Sequence, residues 1–188
     1  MDRNLEQYVK VYHNMISDKI CDETVEQLKT ADWVNHAYYN YRENARYDYD
    51  DSLSISYHKI STYDDVMQSF WDSLHKYIID DFNFPWYQGW SGFSTVRYNK
   101  YAEGAVMRWH CDHIHDLFDG ERKGIPTLSI VGLLNDDFEG GEFSMWDKDH
   151  IIPFTKGDVM VFPSNFLFPH GVKDVKKGTR FSCVSWAY

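Results

Sequence analysis

The densest group of side chains that could do chemistry is the stretch RWHCDHIH, residues 108–115. Imidazole and carboxylate groups are common ligands of transition metals. His110 and Asp112 are two residues apart at the predicted end of a strand, and residues i and i+2 of a strand point to the same face. This spacing therefore allows one imidazole and one carboxylate to converge on a single metal ion.

The other histidines fit a metal site less well, and His-x-Asp alone is a weak motif that occurs by chance. In a continuing strand His113 would face away from His110 and Asp112, and His115 would fall in the following loop. We interpret both as exposed residues or as polar residues beside the site. The same interpretation applies to histidines that have no convergent partner in the sequence, namely His13, His36, His58, His75 and His150.

A third ligand has to come from another strand, and His170 in NFLFPHGV is the best candidate. Two histidines and one carboxylate form the facial triad of Fe(II) oxygenases, which leaves coordination positions open. Arg180 follows ten residues later, and an inward strand arginine is costly without an anionic partner. Its planar fork suits a carboxylate. Gly178 is expected to make a turn that brings the strand of Arg180 antiparallel to the strand of His170.

Composition limits the classes of protein that this chain could be. Its 188 residues suit one domain, and its net charge of -10 without a dense Lys/Arg cluster argues against nucleic-acid binding. There is no apolar run of membrane-spanning length and no signal-peptide core, so we expect no membrane association. Three widely spaced cysteines form neither a disulfide framework nor a zinc motif. A cytoplasmic location with reduced thiols is the expectation.

The predicted elements divide the chain into a helical half and a strand-rich half. Ser17 is a candidate N-cap for a first helix, and a second helix is indicated by apolar residues at three- and four-residue steps, Val66, Phe70, Leu74, Tyr77 and Ile78. The polar, tyrosine-rich segment 40–52 is predicted as a loop. From residue 93 onward, short β-rich segments alternate with turn signals, which indicates a sandwich or barrel. An open α+β sheet is the alternative.

Four segments carry a resemblance to a known family: RYNKYAEGAVMRWHCD, TLSIVGLLNDDFEGGEF, KGDVMVFPS and PHGVKDVKKGTRFSCVSW. In them the chain resembles the 2-oxoglutarate and Fe(II)-dependent dioxygenases, in the branch related to prolyl 4-hydroxylases. The resemblance covers about the C-terminal half. It implies a mostly β, double-stranded β-helix (jelly-roll, cupin-like) fold with supporting N-terminal helices. We expect a single domain over 1–188, with mainly helical support, early strands and a loop in 1–92 and the jelly-roll core in 93–188.

The resemblance also implies roles for individual residues. It implies that Fe(II) is bound by a triad that consists of His110, Asp112 and His170. Arg180 would hold the distal carboxylate of 2-oxoglutarate, and Tyr101 in the Tyr-x-x-Gly motif would add a hydroxyl contact, with Tyr98 as its competitor. Several relatives carry a tyrosine three residues before the ligand histidine, where this chain has Met107.

The implied activity is hydroxylation of an unactivated C–H bond, most directly in a peptidyl residue such as proline. It would use O2, would convert 2-oxoglutarate to succinate, and would have ascorbate as a candidate reductant. The same chemistry on a free amino acid or other small molecule is the alternative. A metal-binding jelly-roll module without oxygenase activity, or a zinc hydrolase, also stays open, because zinc accepts the same ligand types. The segments 42–52 and 113–124 are candidate lids over the site, and 82–90 is a candidate groove.

Overall fold

The computed structural model describes residues 4–40, 43–87, 89, 91–112 and 126–188. Its helices are α1 (Asp18–Leu28) and α2 (Tyr63–His75), with a 3-10 turn at Leu5–Tyr8 and a π-helical continuation of α2 at Lys76–Phe82. Its strands are β1 (Lys10–Tyr12), β2 (Val34–Asn35), β3 (Tyr38–Asn40), β4 (Ala45–Tyr47), β5 (Ser54–Ser56), β6 (Arg97–Tyr101), β7 (Met107–His110), β8 (Leu128–Leu133), β9 (Glu139–Gly140), β10 (Phe143–Met145), β11 (Val159–Pro163), β12 (His170–Val172), β13 (Val175–Lys177) and β14 (Arg180–Ala187). Among the helices of these ranges, none combines the length and the apolar character that a membrane crossing requires.

Two antiparallel sheets face each other and form the frame of the molecule. The large sheet has seven strands in the order β1-β11-β8-β14-β6-β5-β2, and the small sheet has three in the order β10-β12-β7. Two short ribbons, β9 with β13 and β3 with β4, complete the pairing. This arrangement is the double-stranded β-helix that the resemblance implies, and the space between the two sheets is where a site can form.

The helices cover the outer face of the large sheet. Helix α1 begins at Ser17 as predicted, with the Ser17 hydroxyl accepting the backbone N–H of Ile20 at 3.4 Å. Helix α2 buries Phe70 and its apolar neighbours against the strands. The approach is close at Gly132, where a Cβ atom would lie 2.8 Å from the Cys183 sulfur and 3.2 Å from the Phe70 ring. A side chain at this position would push the helix layer off the sheet.

The strands of the large sheet serve two cores because their side chains alternate. In β14, Phe181 and Cys183 face the helices, whereas Val184 and Trp186 pack in the second apolar cluster between the sheets. A period of two along the strand produces this division. The inward row of β14 also carries Arg180 and therefore brings a charge into the space between the sheets.

The structure corrects the predicted loop at 40–52. Strands β3 and β4 pair in this region, with Tyr38 opposite Tyr47, and Asn44 adopts a positive φ of 48° in the turn between them. Asparagine tolerates this left-handed conformation better than most residues. An exposed two-stranded ribbon buries little apolar surface, so its sequence lacks the apolar alternation from which a strand is predicted.

The strand that follows Gly178 joins the large sheet. Gly178 does make a turn, with φ +82°, but β14 pairs with β6 and β8 of the large sheet and not with the strand of His170. The reason is that β13 intervenes and pairs with β9, so that the chain crosses from the small sheet to the large one. His170 and Arg180 consequently lie on opposite walls.

Candidate active site

One cavity between the two sheets contains most of the residues that the sequence singled out. Its empty volume, which includes space that is open to solvent, is about 380 Å³. Side chains from both sheets line it: Arg97, Asn99, Tyr101, Met107, His110, Asp112, Val131, Phe143, His170, Val172, Arg180, Ser182, Val184 and Trp186.

His110, Asp112 and His170 converge at the small-sheet wall of this cavity. His110 ends β7, and cross-strand pairing places His170 of β12 directly opposite it. The His110 Nε2 atom lies 3.3 Å from Asp112 Oδ1, and the His170 Nε2 atom lies 3.7 Å from Asp112 Oδ2. One ligand atom from each residue lies within 4.8 Å of the other two, so the three could hold one metal ion. The two ligands that were predicted from their spacing and the third, predicted from a distant segment, therefore lie together.

The hydrogen bonds of the two imidazoles leave the correct nitrogen available. The Nδ1 of His110 lies 2.8 Å from the Arg108 carbonyl oxygen, and the Nδ1 of His170 lies 3.0 Å from the Phe168 carbonyl oxygen. A carbonyl only accepts, so each Nδ1 carries the proton and donates it. Each Nε2 then faces Asp112 and is the nitrogen left for a metal ion, which is how metal-binding histidines are commonly oriented.

The carboxylate is held in its ionised state. Burial by itself would raise the pKa of Asp112, but His170, His110 and the Ser129 hydroxyl favour the charged form and hold that pKa well below its usual range. Ser129 donates to Asp112 Oδ2 at 2.6 Å, and the Ser164 hydroxyl lies 2.8 Å from the Ser129 hydroxyl. This relay fixes the orientation of the carboxylate from the large-sheet side.

The environment also keeps His170 neutral. Burial, and then the proximity of His110, lower its pKa to about 4. The Phe143 ring stacks on the His170 imidazole at a centroid distance of 5.3 Å, and the Phe162 ring meets it edge-on at 4.9 Å. Metals require deprotonated ligands. A neutral His170 imidazole and an ionised Asp112 carboxylate therefore suit a divalent cation, for which His110 offers the third ligand atom.

Arg180 lies on the opposite wall and has an incomplete set of partners. Its side chain is 1% exposed, and burial lowers its pKa. Its Nη1 donates to the Ser182 hydroxyl at 3.0 Å, whereas its Nη2 is buried and has no hydrogen-bond partner in the part of the chain that the structure describes. An unpartnered buried guanidinium N–H is costly. The donor set of Arg180 therefore fits the carboxylate of a ligand such as 2-oxoglutarate.

The structure separates the two candidate tyrosines. Tyr101 lines the cavity, and the Arg180 guanidinium lies 5.0 Å from its ring centre. Tyr98 belongs to the outer cluster beneath the helices, because it is three residues away on the same strand and points to the other face. The interpretation of Tyr98 as a competitor for the ligand contact is thereby corrected in favour of Tyr101.

The remaining predicted positions have different outcomes. His113 and His115 lie outside the described residues, as does the candidate lid 113–124. Met107 lines the cavity, and its sulfur is 3.4 Å from the hydroxyl of Tyr38 on the β3–β4 ribbon. That hydroxyl also accepts the backbone N–H of Arg108 at 3.1 Å, so the ribbon is bound to the strand that carries His110.

Sequence reasoning missed several residues of the cavity. Arg97 and Asn99 precede Tyr101 at steps of two and share its inward face, which alternation along β6 could have revealed. His36, predicted to have no functional neighbour, is close enough to Arg97 and His110 for both to influence its charge. Ser129 carried no sequence signal, because its contact with Asp112 depends on the pairing of distant strands.

The C-terminal half of the chain matches a family model. Residues 96–188 match the model described as the 2OG-Fe(II) oxygenase superfamily. A PKHD-type hydroxylase of Caulobacter vibrioides is 31% identical over 94 residues, which cover 47% of this chain and 40% of the relative. A PKHD-type hydroxylase of Prochlorococcus marinus is 29% identical over 76 residues, 39% of this chain and 34% of the relative. The chain thus spans two fifths or less of the length of these curated relatives.

Solved structures match nearly the whole chain. A Trichoplax adhaerens prolyl hydroxylase in complex with a hypoxia inducible factor peptide aligns with a TM-score of 0.72 and 16% identity, over 97% of this chain and 84% of that one. The viral collagen prolyl hydroxylase of Paramecium Bursaria Chlorella virus-1, as a 2OG complex, aligns with a TM-score of 0.65 and 14% identity, over 96% of this chain and 94% of that one. A Pseudomonas putida prolyl-4-hydroxylase aligns with a TM-score of 0.61 and 16% identity, over 96% of this chain and 91% of that one. These matches confirm the predicted fold, and the family model and the PKHD-type relatives confirm the resemblance.

Proposed function

Because residues 96–188 belong to the 2OG-Fe(II) oxygenase superfamily, we propose that the chain is a 2-oxoglutarate- and Fe(II)-dependent dioxygenase that hydroxylates a peptidyl residue such as proline. The observation that carries this proposal is the presence, in one cavity, of the His110–Asp112–His170 cluster and of a buried arginine that has no anionic partner among the described residues. A zinc hydrolase or a simple metal module would have no use for Arg180 at that position.

Different residues of the cavity would bind the metal ion and the cosubstrate. His110, Asp112 and His170 would hold Fe(II), and Arg180 with Tyr101 would hold the distal carboxylate of 2-oxoglutarate. When both are bound, they supply the oxidation of a C–H bond by O2, coupled to decarboxylation of 2-oxoglutarate to succinate. The protein contributes ligand geometry, cosubstrate orientation and exclusion of water.

The exposure of these residues distinguishes a buried inner end of the cavity from a more exposed outer end. The His110 side chain is 22% exposed, whereas His170 and Asp112 are each 6% exposed and Arg180 is 1% exposed. Arg180 would therefore hold one end of the dicarboxylate in the dry interior, and a substrate would approach from the side of His110. Low dielectric at the buried end strengthens the attraction between the arginine and a carboxylate.

Support for a peptide substrate comes from the surroundings of His110 and from one similar structure. The Trichoplax prolyl hydroxylase is in complex with a peptide fragment. In this chain the β3–β4 ribbon contacts β7, and the Arg108 Nη2 donates to both carboxylate oxygens of Asp51, at 2.7 and 2.9 Å. Among the described strands β7 is an edge strand of the small sheet, so a peptide could lie along the strand that ends at His110.

The test is a titration followed by a turnover screen. Fe(II) and 2-oxoglutarate, added without oxygen, should produce the weak visible charge-transfer band of the chelate. With oxygen, succinate release should rise with a proline-containing peptide that gains one oxygen atom by mass spectrometry. Asp112→Ala is the control and should give neither signal. A fully metallated protein without the band would exclude the oxygenase function.

A further inference from the structure

We propose that Arg97 forms a second anion subsite in the cavity and that it binds a carboxylate of the substrate. This rests on the proposed function, because it names a chemical feature of the molecule that the same site would hydroxylate. Nothing in the family match or in the similar proteins assigns a role to this position.

The contacts of Arg97 leave most of its guanidinium free toward the cavity. Arg97 lies on β6, lines the cavity and is 7% exposed. Its Nε donates to the Asn99 side-chain oxygen at 3.1 Å, and its guanidinium carbon lies 4.8 Å from the centre of the Trp186 ring. Within the described ranges neither terminal nitrogen has a hydrogen bond and no carboxylate pairs with the side chain. Asn99 and Trp186 thus hold the guanidinium in place without neutralising it.

Two further polar groups without partners lie near Arg97. The indole Nε1 of Trp186, a residue that is 3% exposed, is buried and has no hydrogen-bond partner among the described residues. The same holds for the Nδ1 of His36. Burial, and then the positive charge of Arg97, lower the pKa of His36 to about 3, which places the two side chains in the same electrostatic environment. Buried polar groups are normally paired, so the indole N–H of Trp186, whose ring lies against the Arg97 guanidinium, indicates a missing acceptor.

Arg97 and Arg180 serve different parts of the cavity. Along β14, Arg180 is opposite Tyr101 and Val184 is opposite Arg97. Four residues of a strand separate these two positions, which is roughly 13 Å. A carboxylate anchored between Arg180 and Tyr101 therefore leaves the guanidinium of Arg97 available for a second molecule.

The charge of the cavity wall points to the same conclusion. Among the lining residues that the structure describes, the ionised side chains are two arginines and Asp112, which leave one net positive charge. A divalent cation and a doubly charged dicarboxylate would cancel each other, so one positive charge remains when both are bound. The whole chain carries a net charge of -10, yet no acidic residue in the described ranges pairs with Arg97. A single carboxylate on the substrate would neutralise it and would offset the cost of its burial.

The experiment compares acids with their neutral amides. Calorimetric titrations would use two matched pairs of probes, L-proline with L-prolinamide and acetyl-Asp-Pro-methylamide with acetyl-Asn-Pro-methylamide. They would be run on metal-free protein and on protein that holds Fe(II) and 2-oxoglutarate without oxygen. For at least one pair, wild-type protein should bind the acid about tenfold or more tightly than the amide, as expected for charge-assisted hydrogen bonds. The pair that shows the preference tells whether the acid is that of a free amino acid or of a peptide side chain.

The variants assign that preference to Arg97. In Arg97→Gln the ratio should fall to about one, and in Arg97→Lys, which keeps the charge but loses the fork, it should be intermediate. Lys100→Gln is the matched control, because it removes the same charge from the same strand, where Lys100 lies over the Trp33 ring outside the cavity. Its ratio should equal that of wild type. Thermal unfolding would establish that Arg97→Gln is folded, and Arg97→Lys provides the test if it is not.

Several results would overturn the proposal. They are equal binding of acids and amides by wild-type protein, no binding of any acid, and a ratio that Arg97→Gln and Arg97→Lys leave unchanged. A parallel loss of 2-oxoglutarate affinity in Arg97→Gln would assign Arg97 to the cosubstrate and would also reject it. Failure of the proposed function looks different: the charge-transfer band would be missing, while metal-free protein would still show an acid preference that depends on Arg97.

Discussion

Replacing Arg180 by methionine should separate a ligand anchor from a residue that stabilises the fold. In the ligand-free protein the change removes one hydrogen bond to Ser182 and the contacts with the Tyr101 and Phe154 rings. Together these are worth about 1–3 kcal/mol. It also removes a buried N–H without a partner and an uncompensated buried charge, a gain of similar size. We therefore expect the free energy of unfolding of the ligand-free variant to lie within ~1 kcal/mol of wild type.

The ligand-bound protein should behave quite differently. Loss of one partner of a buried charge pair costs about 2–5 kcal/mol of binding free energy, which is about thirtyfold or more in the dissociation constant of 2-oxoglutarate. Wild-type protein with Fe(II), at a 2-oxoglutarate concentration 100 times that constant, should gain about 2.7 kcal/mol in stability. At the same concentration Arg180→Met should gain about 0.9 kcal/mol if its affinity falls thirtyfold, and less if it falls further.

Urea unfolding without oxygen, with and without 2-oxoglutarate, measures both quantities on the same samples. Arg46→Met, at an exposed arginine of β4, is the control and should keep the full increment. A ligand-free Arg180→Met that is destabilised by about 3 kcal/mol or more would identify Arg180 as a packing residue. An increment equal to that of wild type would show that the carboxylate is anchored elsewhere.

Three further substitutions test how the site is supported. Ser129→Ala should lower Fe(II) affinity about 10- to 100-fold, because Asp112 loses the hydroxyl that orients it. An unchanged affinity in a metal titration would show that Ser129 does not support the metal site. Gly171→Ala should lower the free energy of unfolding in urea by about 1–3 kcal/mol and weaken Fe(II) binding. The reason is that its Cβ would lie 2.8 Å from the Met107 carbonyl oxygen and would push β12 away from β7. A variant with the stability and the Fe(II) affinity of wild type would contradict the close approach. His36 has a pKa lowered to about 3 by burial and then by a neighbouring arginine, so the unfolded chain binds more protons between about pH 6.5 and pH 3. Stability should fall as the pH falls through that window, by up to ~1.4 kcal/mol per pH unit, and His36→Leu should flatten the slope for metal-free protein.

The parts of the fold that local sequence predicts are those with a strong period. Helix α2 follows from apolar residues at helical spacing, and most of the C-terminal strands follow from β-rich segments between turns. The β3–β4 ribbon was missed because its strands bury too little to impose a pattern. The partners of β14 could not be predicted, because Gly178 determines that the chain turns, whereas contacts with β6 and β8 determine where it goes.

The candidate site shows a similar limit. The spacing of His110 and Asp112 suggested that they converge, although β7 ends at His110 and Asp112 lies beyond it. His170 and Arg180 gained their meaning from the resemblance, because only the folded sheets bring them to one cavity. Arg97 has the same parity as Tyr101 on β6 and could have been found from the sequence. Ser129 could not, because its bond to Asp112 joins segments that nothing in the local sequence connects.

The depth of Arg180 has a consequence for the order of events in a catalytic cycle. Arg180 is enclosed, whereas His110 lies nearer to the surface, so a molecule that fills the outer part of the cavity blocks the route to the inner part. Under the proposed function, 2-oxoglutarate would then enter before the substrate, and succinate would leave after the hydroxylated product. Such a cycle has compulsory-order kinetics, in which succinate competes with 2-oxoglutarate but not with the substrate.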